Sequence, residues 1–444
     1  MAREKEGQVF LSAFCKEIET GDGVVIFNSL HPSASIGIDP KTWNNFKETL
    51  KDHKELELFQ ILSSMNLIVS SVEEDTKQLE TAREKADKSI PESPTTLYLV
   101  LTDDCNMKCT YCPFSDTHNT QKNVVCMNPD TAKRGIDFWL SSQERRNELD
   151  QLGIIFYGGE PLLNLETFYS CLEYIDQLRK NGKVPDIQLM LDTNGILLTD
   201  QIIELLKRHN VKVTIALDSF SISNDKYRKD IDDQGTYDRV ITSLNMLQKY
   251  GIPVYLSMSI TPANIDSLCT LPENLRQYGI RGVGINILRG QIPTNFDNYQ
   301  TESIKALADF FAKNSGLEIP EFQTTRRFDA FKSDSPFLNC GGFGEHIVIH
   351  PDGKIGNCPW TEDYIMGDVH EPANYNDLRE NNFYYTRKTS LPFFNDECLE
   401  CEAISICGGK CIWADDQSVG QSKSFCLLSK EMLRMLVLKN KVNL

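Results

Sequence analysis

The feature of this 444-residue sequence that most constrains its fold is a regular alternation of strand-like and helix-like segments between residues 95 and 317. Two of the helix-like segments open on capping residues, Asn128 before Pro129 and Thr199 before Asp200. Consecutive βα units build a parallel sheet, and we expect an α/β fold, most simply a partial (β/α)6 barrel of the TIM type. Functional side chains should then lie at the carboxyl ends of the strands. The six strand-like runs are Leu97–Thr102, Gly153–Tyr157, Ile187–Asp192, Val211–Asp218, Pro253–Ile260 and Gly282–Leu288.

Composition and charge exclude several classes of protein. The 46 Lys and Arg residues against 63 Asp and Glu residues give a net charge of −17, which argues against binding to the phosphate backbone of nucleic acid. No apolar run approaches the roughly 18–20 residues of a membrane span. The start, MAREKEGQ, lacks the apolar segment of a signal peptide. We therefore expect a cytoplasmic protein with neither a membrane nor a nucleic acid as its partner.

The fourteen cysteines are distributed unevenly along the chain. Disulfides are rare in the cytoplasm, where clustered thiols usually hold metal or take part in redox chemistry. Four cysteines stand apart, and we expect small buried hydrophobic residues at these positions: Cys15, Cys126, Cys171 and Cys269. The other ten form three groups: Cys105, Cys109 and Cys112; Cys340 and Cys358; and Cys398, Cys401, Cys407, Cys411 and Cys426.

Residues 1–90 read as a separate small unit. Its strand and short-helix patterns predict a winged-helix-like module, a type that usually binds DNA. The eleven basic and sixteen acidic residues of this unit give it a net charge of −5, which disagrees with DNA binding. An extended peptide added to an exposed strand edge fits better. The predicted elements are strands around Val9–Ile18 and Val24–Phe27 on either side of the turn Gly21-Asp22-Gly23, helices near Pro40–Lys51 and Glu55–Met65, a short strand Leu67–Val69, and a charged helix or linker Glu73–Lys88.

Residues 318–444 differ in character from the preceding part. They are less periodic, richer in Gly and Pro, and dense in Cys, with one amphipathic helix pattern over Phe425–Lys439. A loop-rich segment with little apolar core of its own needs metal to hold its shape. We therefore expect a metal-stabilised domain here.

The first cysteine group follows the first predicted strand of the barrel as Cys105-Asn-Met-Lys-Cys109-Thr-Tyr-Cys112. Structural zinc normally takes four protein ligands, whereas this loop offers three thiolates. A four-iron cluster bound by three cysteines leaves one iron open to an exogenous ligand. The alternative is a zinc site completed by a remote ligand such as His118.

This spacing, Cys-x-x-x-Cys-x-aromatic-Cys, resembles the signature of the radical S-adenosylmethionine (SAM) superfamily. The resemblance implies that Cys105, Cys109 and Cys112 hold a 4Fe-4S cluster whose open iron chelates SAM. Reductive cleavage of SAM then gives a 5′-deoxyadenosyl radical that abstracts hydrogen from a substrate.

Later strand ends carry further motifs that resemble those of the family. Tyr157-Gly158-Gly159-Glu160-Pro161 matches the GGE motif, whose glycines allow close backbone approach, and Thr193-Asn194-Gly195 matches TNG. The family's S-x-D-G is present only in its Asp, because Ala216 and Ser219 replace its Ser and Gly. The SAM contacts that this resemblance implies come from Tyr111, Gly158, Gly159, Glu160 (to the SAM ammonium), Asn194, Asp218, Arg228 (to the SAM carboxylate) and Ser257 (to the ribose).

The order of the C-terminal cysteines resembles the SPASM domain of radical SAM enzymes that modify ribosomally made peptides. The resemblance implies two auxiliary 4Fe-4S clusters, one held by Cys398, Cys401, Cys407 and Cys426 and the other by Cys340, Cys358 and Cys411. No further Cys lies between Cys269 and Cys340. The inner auxiliary cluster therefore has either an open iron that can bind a substrate thiolate or a fourth ligand such as Glu345 or His346. One or two zinc-ribbon sites are the alternative.

Taken together, these patterns predict a peptide maturase with an N-terminal leader-recognition module (1–90), a radical SAM partial barrel (95–317) and a SPASM domain (318–444). The expected product is an oxidative crosslink, a thioether or a carbon–carbon bond. The expected partners are a precursor peptide with its leader and an electron donor such as flavodoxin or ferredoxin. The alternatives are a sulfatase-maturing enzyme that makes formylglycine, another SPASM dehydrogenase, and a non-enzymatic iron–sulfur or zinc scaffold that binds a peptide. Pro359 stands where the sulfatase-maturing class has an Asp after the second SPASM cysteine, which argues against that class.

Overall fold

The computed structural model describes most of the chain. The described residues are 9–50, 57–112, 124–145, 151–182, 184, 186–287, 299–313, 320–333, 336, 338–360, 365–371, 374–380, 391–409 and 422–443. Two residues named above, His118 and Cys411, lie outside them.

A nine-stranded sheet forms the centre of the molecule. In spatial order its strands are β11 (Gly282–Ile287), β10 (Val254–Ile260), β9 (Val211–Ala216), β8 (Ile187–Thr193), β7 (Leu152–Tyr157), β6 (Thr96–Val100), β12 (His346–Ile349), β13 (Lys354–Gly356) and β14 (Gly367–Asp368). Its first six strands are parallel and pair in sequence order. The central parallel sheet is therefore confirmed, and each strand lies within a few residues of its predicted bounds.

Helices connect these parallel strands and cover the sheet. Both predicted N-caps are present: the side chain of Asn128 accepts a hydrogen bond from the Thr131 amide, and that of Thr199 from the Ile202 amide. Apolar side chains of helices and strands share one core, which includes the fully buried Trp139. The helices are α4 (Pro129–Ser141), α5 (Leu165–Lys180), α6 (Asp200–Arg208), α7 (Tyr237–Tyr250), α8 (Leu271–Gln277) and α9 (Tyr299–Lys313).

The cysteine-rich part continues this sheet. Strand β12 (His346–Ile349) pairs in parallel with β6, and β13 (Lys354–Gly356) and β14 (Gly367–Asp368) follow in antiparallel register. The sheet thus runs across residue 317, so that the cysteine-rich part shares backbone hydrogen bonds with the barrel strands. The helices of this part are α10 (Phe322–Ser333), α11 (Tyr375–Glu380), α12 (Ile404–Cys407) and α13 (Ser422–Asn440).

The N-terminal part has its own core around the fully buried Trp43 and Ile26. The strand predicted around Val9–Ile18 is divided into β1 (Phe10–Leu11) and β2 (Cys15–Thr20), because the chain turns between them. Strand β4 (His31–Ile38) is present in the structure but was not predicted. The elements are β1 (Phe10–Leu11), β2 (Cys15–Thr20), β3 (Gly23–Asn28), β4 (His31–Ile38), α1 (Pro40–Glu48), α2 (Glu57–Ser64), β5 (Ile68–Val69) and α3 (Val72–Lys88).

The C-terminal end of the chain packs on this N-terminal part. Strand β15 (Val442–Asn443) pairs with β4, and the Ser35 hydroxyl donates a 3.2 Å hydrogen bond to the Val437 carbonyl of α13. The sheet order β15-β4-β3-β2 leaves β2 as the edge strand within the described residues. None of the helices among the described residues has both the length and the apolar character of a membrane span.

Candidate active site

A cavity of about 200 Å³ lies at the carboxyl ends of the parallel strands, where the fold predicts function. All three cysteines of the first group reach it. Its walls come from five neighbouring strands and from the cysteine-rich part. The lining residues are Cys105, Met107, Cys109, Tyr111, Cys112, Tyr157, Gly158, Gly159, Asp192, Thr193, Asn194, Thr214, Ala216, Arg228, Ser257, Ser259, Asn286, Ile287 and Trp360.

The cysteine loop follows β6 and is fixed by its own backbone. The Cys105 amide donates to the Asp104 carboxylate at 2.9 Å, and the Cys112 amide donates to the Cys109 carbonyl at 3.1 Å. Burial raises the pKa of Cys109 to about 12 and that of Cys105 further still. A raised pKa disfavours the thiolate form, and a bound metal cation would favour it.

The three thiols fit a multi-iron cluster better than one ion. In the described part of the chain, no three His, Cys, Asp or Glu side chains surround a point at which one metal ion would be held. In a four-iron cluster each thiolate binds a different iron, so the sulfurs stand farther apart than around a single zinc. The three thiols all line one cavity, and a four-iron cluster can engage three thiolates at once.

The two glycines after β7 bring that strand end against the cysteine loop. A Cβ atom on Gly158 would lie 2.3 Å from the Thr102 carbonyl oxygen, and one on Gly159 would lie 2.2 Å from the Asp104 carbonyl oxygen. Gly158 also has φ of 149°, which other residues rarely adopt. The expected close backbone approach is therefore found, and it places the residue before Cys105 directly on the turn.

Glu160 lies beside the cavity wall with no exposed surface. Its carboxylate accepts hydrogen bonds from the Thr193 hydroxyl (2.8 Å) and from the Asn194 amide (2.8 Å). Burial raises the pKa of Glu160 to about 7, against the effect of these hydrogen bonds. Asn194 does line the cavity, and its side-chain amide lies 3.9 Å from the Cys105 sulfur.

Asp218 also lies behind the wall, where it holds two residues that face the cavity. Its carboxylate accepts a hydrogen bond from the Tyr111 hydroxyl and lies 3.0 Å from Nε of Arg228. The Arg228 guanidinium stands over the Tyr111 ring at 5.5 Å and lies 3.9 Å from the Cys109 sulfur. Burial opposes the charge on Arg228, yet Asp218 keeps its pKa above the ordinary value. A buried positive charge therefore sits beside the cysteine loop.

Ser257 lines the opposite wall on β10, where its hydroxyl accepts a 3.3 Å hydrogen bond from the Asn286 amide. Among the lining residues that sequence reasoning missed are Asp192, Tyr157 and Trp360. Asp192 precedes the Thr-Asn-Gly turn at the end of β8, and its Oδ1 atom is buried without a hydrogen-bond partner. Burial raises its pKa to about 6. The alternation of β8 could have identified Asp192, because Met190 and Asp192 share one face.

The C-terminal cysteines gather outside this cavity. The Cys401 amide donates to the Cys398 carbonyl at 2.9 Å, and Cys407 ends α12 just before two glycines with positive φ. Burial raises the pKa of Cys401, and the nearby Cys407 thiol adds to this effect. Cys426 on α13 and Cys401 both lie close enough to Lys430 to raise the pKa of its ammonium group.

The other two C-terminal cysteines lie nearer to the barrel. Cys340 lies close enough to Tyr98 on β6 to raise the pKa of its phenol, and Cys358 does the same to Tyr157 on β7. The rings of these two tyrosines lie 5.7 Å apart. The expected third member of this group, Cys411, lies outside the described residues. Of the four isolated cysteines, Cys171 is buried as predicted and Cys15 is half-buried. The prediction is wrong for Cys126 and Cys269, which are exposed, since each lies on a loop or short turn at the surface.

Comparison with known proteins agrees with this geometry. Residues 99–271 match the family model described as the Radical SAM superfamily, which confirms the resemblance indicated by the cysteine motif. The chain is 25% identical over 370 residues to the radical SAM cyclopropyl synthase TigE of Paramaledivibacter caminithermalis, covering 78% of this chain and 74% of that protein.

Two solved structures share the fold. Native anSMEcpe with bound AdoMet and Cp18Cys peptide has a TM-score of 0.63 at 19% identity, covering 78% of this chain and 98% of that one. Streptococcus suis SuiB bound to precursor peptide SuiA has a TM-score of 0.53 at 15% identity, covering 91% of this chain and 95% of that one. The second alignment therefore extends beyond the barrel into most of the remaining chain.

Proposed function

Because this chain contains a radical SAM domain over residues 99–271, we propose that it modifies a ribosomally made precursor peptide by installing an oxidative crosslink, a thioether or a carbon–carbon bond. The observation that carries the proposal is that Cys105, Cys109 and Cys112 all line one cavity at the strand ends. When bound, SAM and its cluster supply a 5′-deoxyadenosyl radical that removes a substrate hydrogen, and the auxiliary clusters supply an acceptor for the remaining electron.

The residues around the cavity have roles that suit SAM. Cys105, Cys109 and Cys112 would hold the cluster. The Arg228 guanidinium offers a positive charge to the SAM carboxylate, and its ion pair with Asp218 fixes its position.

On the remaining walls, the Asn194 side chain lies where the SAM ammonium would be expected, because it borders Cys105. Glu160 holds the Asn194 backbone amide from behind this wall, and we expect its carboxylate to add negative charge near the ammonium. Ser257 and Asn286 offer a hydroxyl and an amide to the ribose. Tyr111 offers an aromatic ring to the adenine region. The open-iron cluster thus has polar partners for each part of the SAM molecule.

The N-terminal part would bind the leader of the precursor. Strand β2 is an edge strand of its sheet in the described part of the chain, so an extended peptide can add to it. Two of its side chains, Glu17 and Glu19, are acidic and would favour a leader with basic residues, in line with the net charge of this part. The peptide complexes of SuiB and anSMEcpe support a peptide substrate.

The cysteine-rich part would hold two auxiliary clusters, with Cys398, Cys401, Cys407 and Cys426 as ligands of one. Cys340, Cys358 and Cys411 would hold the other, with an open iron or with Glu345 or His346 as a fourth ligand. Burial lowers the pKa of His346 to about 3, which keeps its ring neutral and able to bind metal. A flavodoxin or ferredoxin would supply electrons in the cytoplasm.

Anaerobic reconstitution tests the proposal. With iron, sulfide, SAM and dithionite, the wild-type chain should turn brown and form 5′-deoxyadenosine, and the C105A/C109A/C112A variant should form none. Co-expression with a short Cys- or aromatic-rich reading frame beside the gene should lower the peptide mass by two hydrogen atoms per crosslink. A colourless preparation that binds zinc would contradict the proposal.

The same assays separate the alternatives. A sulfatase-maturing enzyme would convert a Cys or Ser of a sulfatase peptide to formylglycine, a reaction that Pro359 disfavours in this chain. Another SPASM dehydrogenase would act without a leader peptide. A non-enzymatic scaffold would bind peptide but leave SAM intact.

A further inference from the structure

The side chain of Arg327 on α10 is among the largest that are fully buried, with no exposed surface. Its Nη2 donates a 3.2 Å hydrogen bond to Oδ1 of Asn339. A guanidinium stays protonated at all ordinary pH values, so the protein holds a full positive charge here. Burying a charge is costly unless opposite charge lies close to it.

Asn339 connects this charge to the loop after Cys407. The Asn339 amide donates to the Gly408 carbonyl at 2.8 Å, and its side chain donates to the Gly409 carbonyl at 3.3 Å. Gly408 and Gly409 have φ of 69° and 91°, so the chain turns sharply directly after Cys407. Arg327, Asn339 and the Cys407 loop therefore form one hydrogen-bonded unit.

Two acidic groups act on Arg327. Burial lowers the pKa of the guanidinium, and Cys407 and the Glu321 carboxylate oppose this effect. Glu321 is itself buried, and its Oε1 accepts a 3.1 Å hydrogen bond from the Ile285 amide. A neutral Cys407 thiol would compensate little of the Arg327 charge, whereas a thiolate bound to an anionic cluster would compensate much more. Negative charge on an iron–sulfur cluster at Cys407 would therefore add to the compensation that Glu321 already gives the buried guanidinium.

The other cation near these cysteines is placed differently. Lys430 has a 41% exposed side chain and forms a 3.1 Å ion pair with Glu402. Water and the Glu402 carboxylate screen the charge of Lys430. Arg327 is fully buried, so its field reaches Cys407 with less screening.

We propose that Arg327 raises the reduction potential of the cluster held by Cys398, Cys401, Cys407 and Cys426. This inference rests on the proposed function, because it needs that auxiliary cluster. Reduction adds one negative charge to the cluster, and a buried positive charge stabilises the reduced form more than the oxidised form. The residue would favour transfer of one electron to this cluster as the substrate radical is oxidised.

A redox titration of the full-length, reconstituted chain tests this role. The C105A/C109A/C112A background removes the first cluster, so electron paramagnetic resonance follows the auxiliary clusters alone. Arg327→Met should lower one midpoint potential, so that at the wild-type midpoint the reduced-to-oxidised ratio falls about tenfold, equivalent to 59 mV for a one-electron couple. Adding Cys426→Ala to the background should remove the same signal.

Three variants separate charge from structure. Arg327→Lys keeps the charge and should restore the midpoint, whereas Arg326→Met, which removes a 44% exposed side chain on the same helix, should leave it unchanged. Glu321→Gln removes a competing negative charge and should raise the midpoint, which tests the inference even if Arg327→Met takes up no iron. Equal midpoint shifts in Arg327→Lys and Arg327→Met would overturn the inference. So would an unchanged midpoint in both Arg327→Met and Glu321→Gln when these proteins contain their full iron. Absence of SAM cleavage by the chain with its first three cysteines intact, together with the expected midpoint shifts in the triple-alanine background, would contradict only the proposed function.

Discussion

The indole nitrogen of Trp360 donates a 2.7 Å hydrogen bond to the hydroxyl of Tyr157, a residue 203 positions away in the sequence. Tyr157 ends β7, and Trp360 follows Cys358 by two residues. Both line the cavity together with Cys112. The pair therefore joins the cysteine-rich part to the parallel sheet, next to the cavity that Cys112 lines.

This arrangement predicts that Trp360 shields the first cluster. Trp360→Ala removes a wall of the cavity and should admit solvent, so a chelator should extract iron severalfold faster than from wild type. Trp360→Phe keeps a ring but loses the hydrogen bond, and its rate should lie between the two. Bleaching of the cluster absorbance under anaerobic conditions measures these rates. Equal rates in all three proteins would show that the indole does not close the cavity.

A second prediction concerns the buried ion pair of Asp218 and Arg228, whose side chains are 3% and 10% exposed. Asp218→Asn leaves the guanidinium without its charged partner and should cost about 3–5 kcal/mol of stability. The double variant Asp218→Asn with Arg228→Met removes both charges and should recover part of that loss. Both variants should bind SAM weakly, because both disturb the same wall.

Thermal unfolding without SAM, together with SAM binding by equilibrium dialysis, separates the two effects. A double variant no more stable than Asp218→Asn alone would contradict the explanation by an uncompensated charge.

The sequence was sufficient to predict the parallel strands and the clustering of Cys105, Cys109 and Cys112. These features depend on local periodicity and on the rule that parallel strands end at one edge. It was also sufficient for the close approach of Gly158 and Gly159. In each case the signal lies within a few consecutive residues.

Pairings between distant segments could not be predicted. Nothing in the local pattern of His346–Ile349 shows that it joins β6, and the two-residue strand Val442–Asn443 carries no periodicity at all. The motifs predict that Asp218 and Glu160 contact SAM, but they do not show that these carboxylates also hold Tyr111 and Thr193 in place. Side-chain depth at a strand end depends on tertiary packing, which a motif does not encode.

The turn after β7 lies against the backbone just before Cys105, so a larger residue in this turn should disturb the first cluster. In Gly159→Ala the new Cβ would meet the Asp104 carbonyl at 2.2 Å, so the backbone just before Cys105 must move. We expect loss of the first cluster, seen as loss of one cluster's iron and of 5′-deoxyadenosine formation. Gly153→Ala on the same strand is the matched control, because its Cβ would find only the Gln188 carbonyl at 3.8 Å. Normal iron content in Gly159→Ala would contradict this prediction.

The last prediction concerns the carboxyl group of Asp192. Burial raises its pKa from 3.8 to about 6. The titratable groups that face it are the phenols of Tyr98 on β6 and Tyr157 on β7, whose pKa values burial also raises, so both stay neutral below pH 8. The folded state therefore holds the Asp192 proton more tightly than the unfolded state. Stability falls as the pH rises from about 4 to about 6, because the folded protein must then bury a charged carboxylate.

Asp192→Asn removes this titration while its side-chain oxygen can still accept a hydrogen bond from Thr214. The variant should therefore gain about 1 kcal/mol of stability relative to wild type as the pH rises from 5 to 7, out of about 3 kcal/mol that a shift of this size gives over the whole pH range. Thermal unfolding of both proteins without SAM, across pH 5–8, measures the difference. Asp186→Asn, an exposed position at the other end of the same strand, should show no such trend. A difference between wild type and Asp192→Asn that is constant over this range would mean that Asp192 is already charged in the folded protein at pH 5.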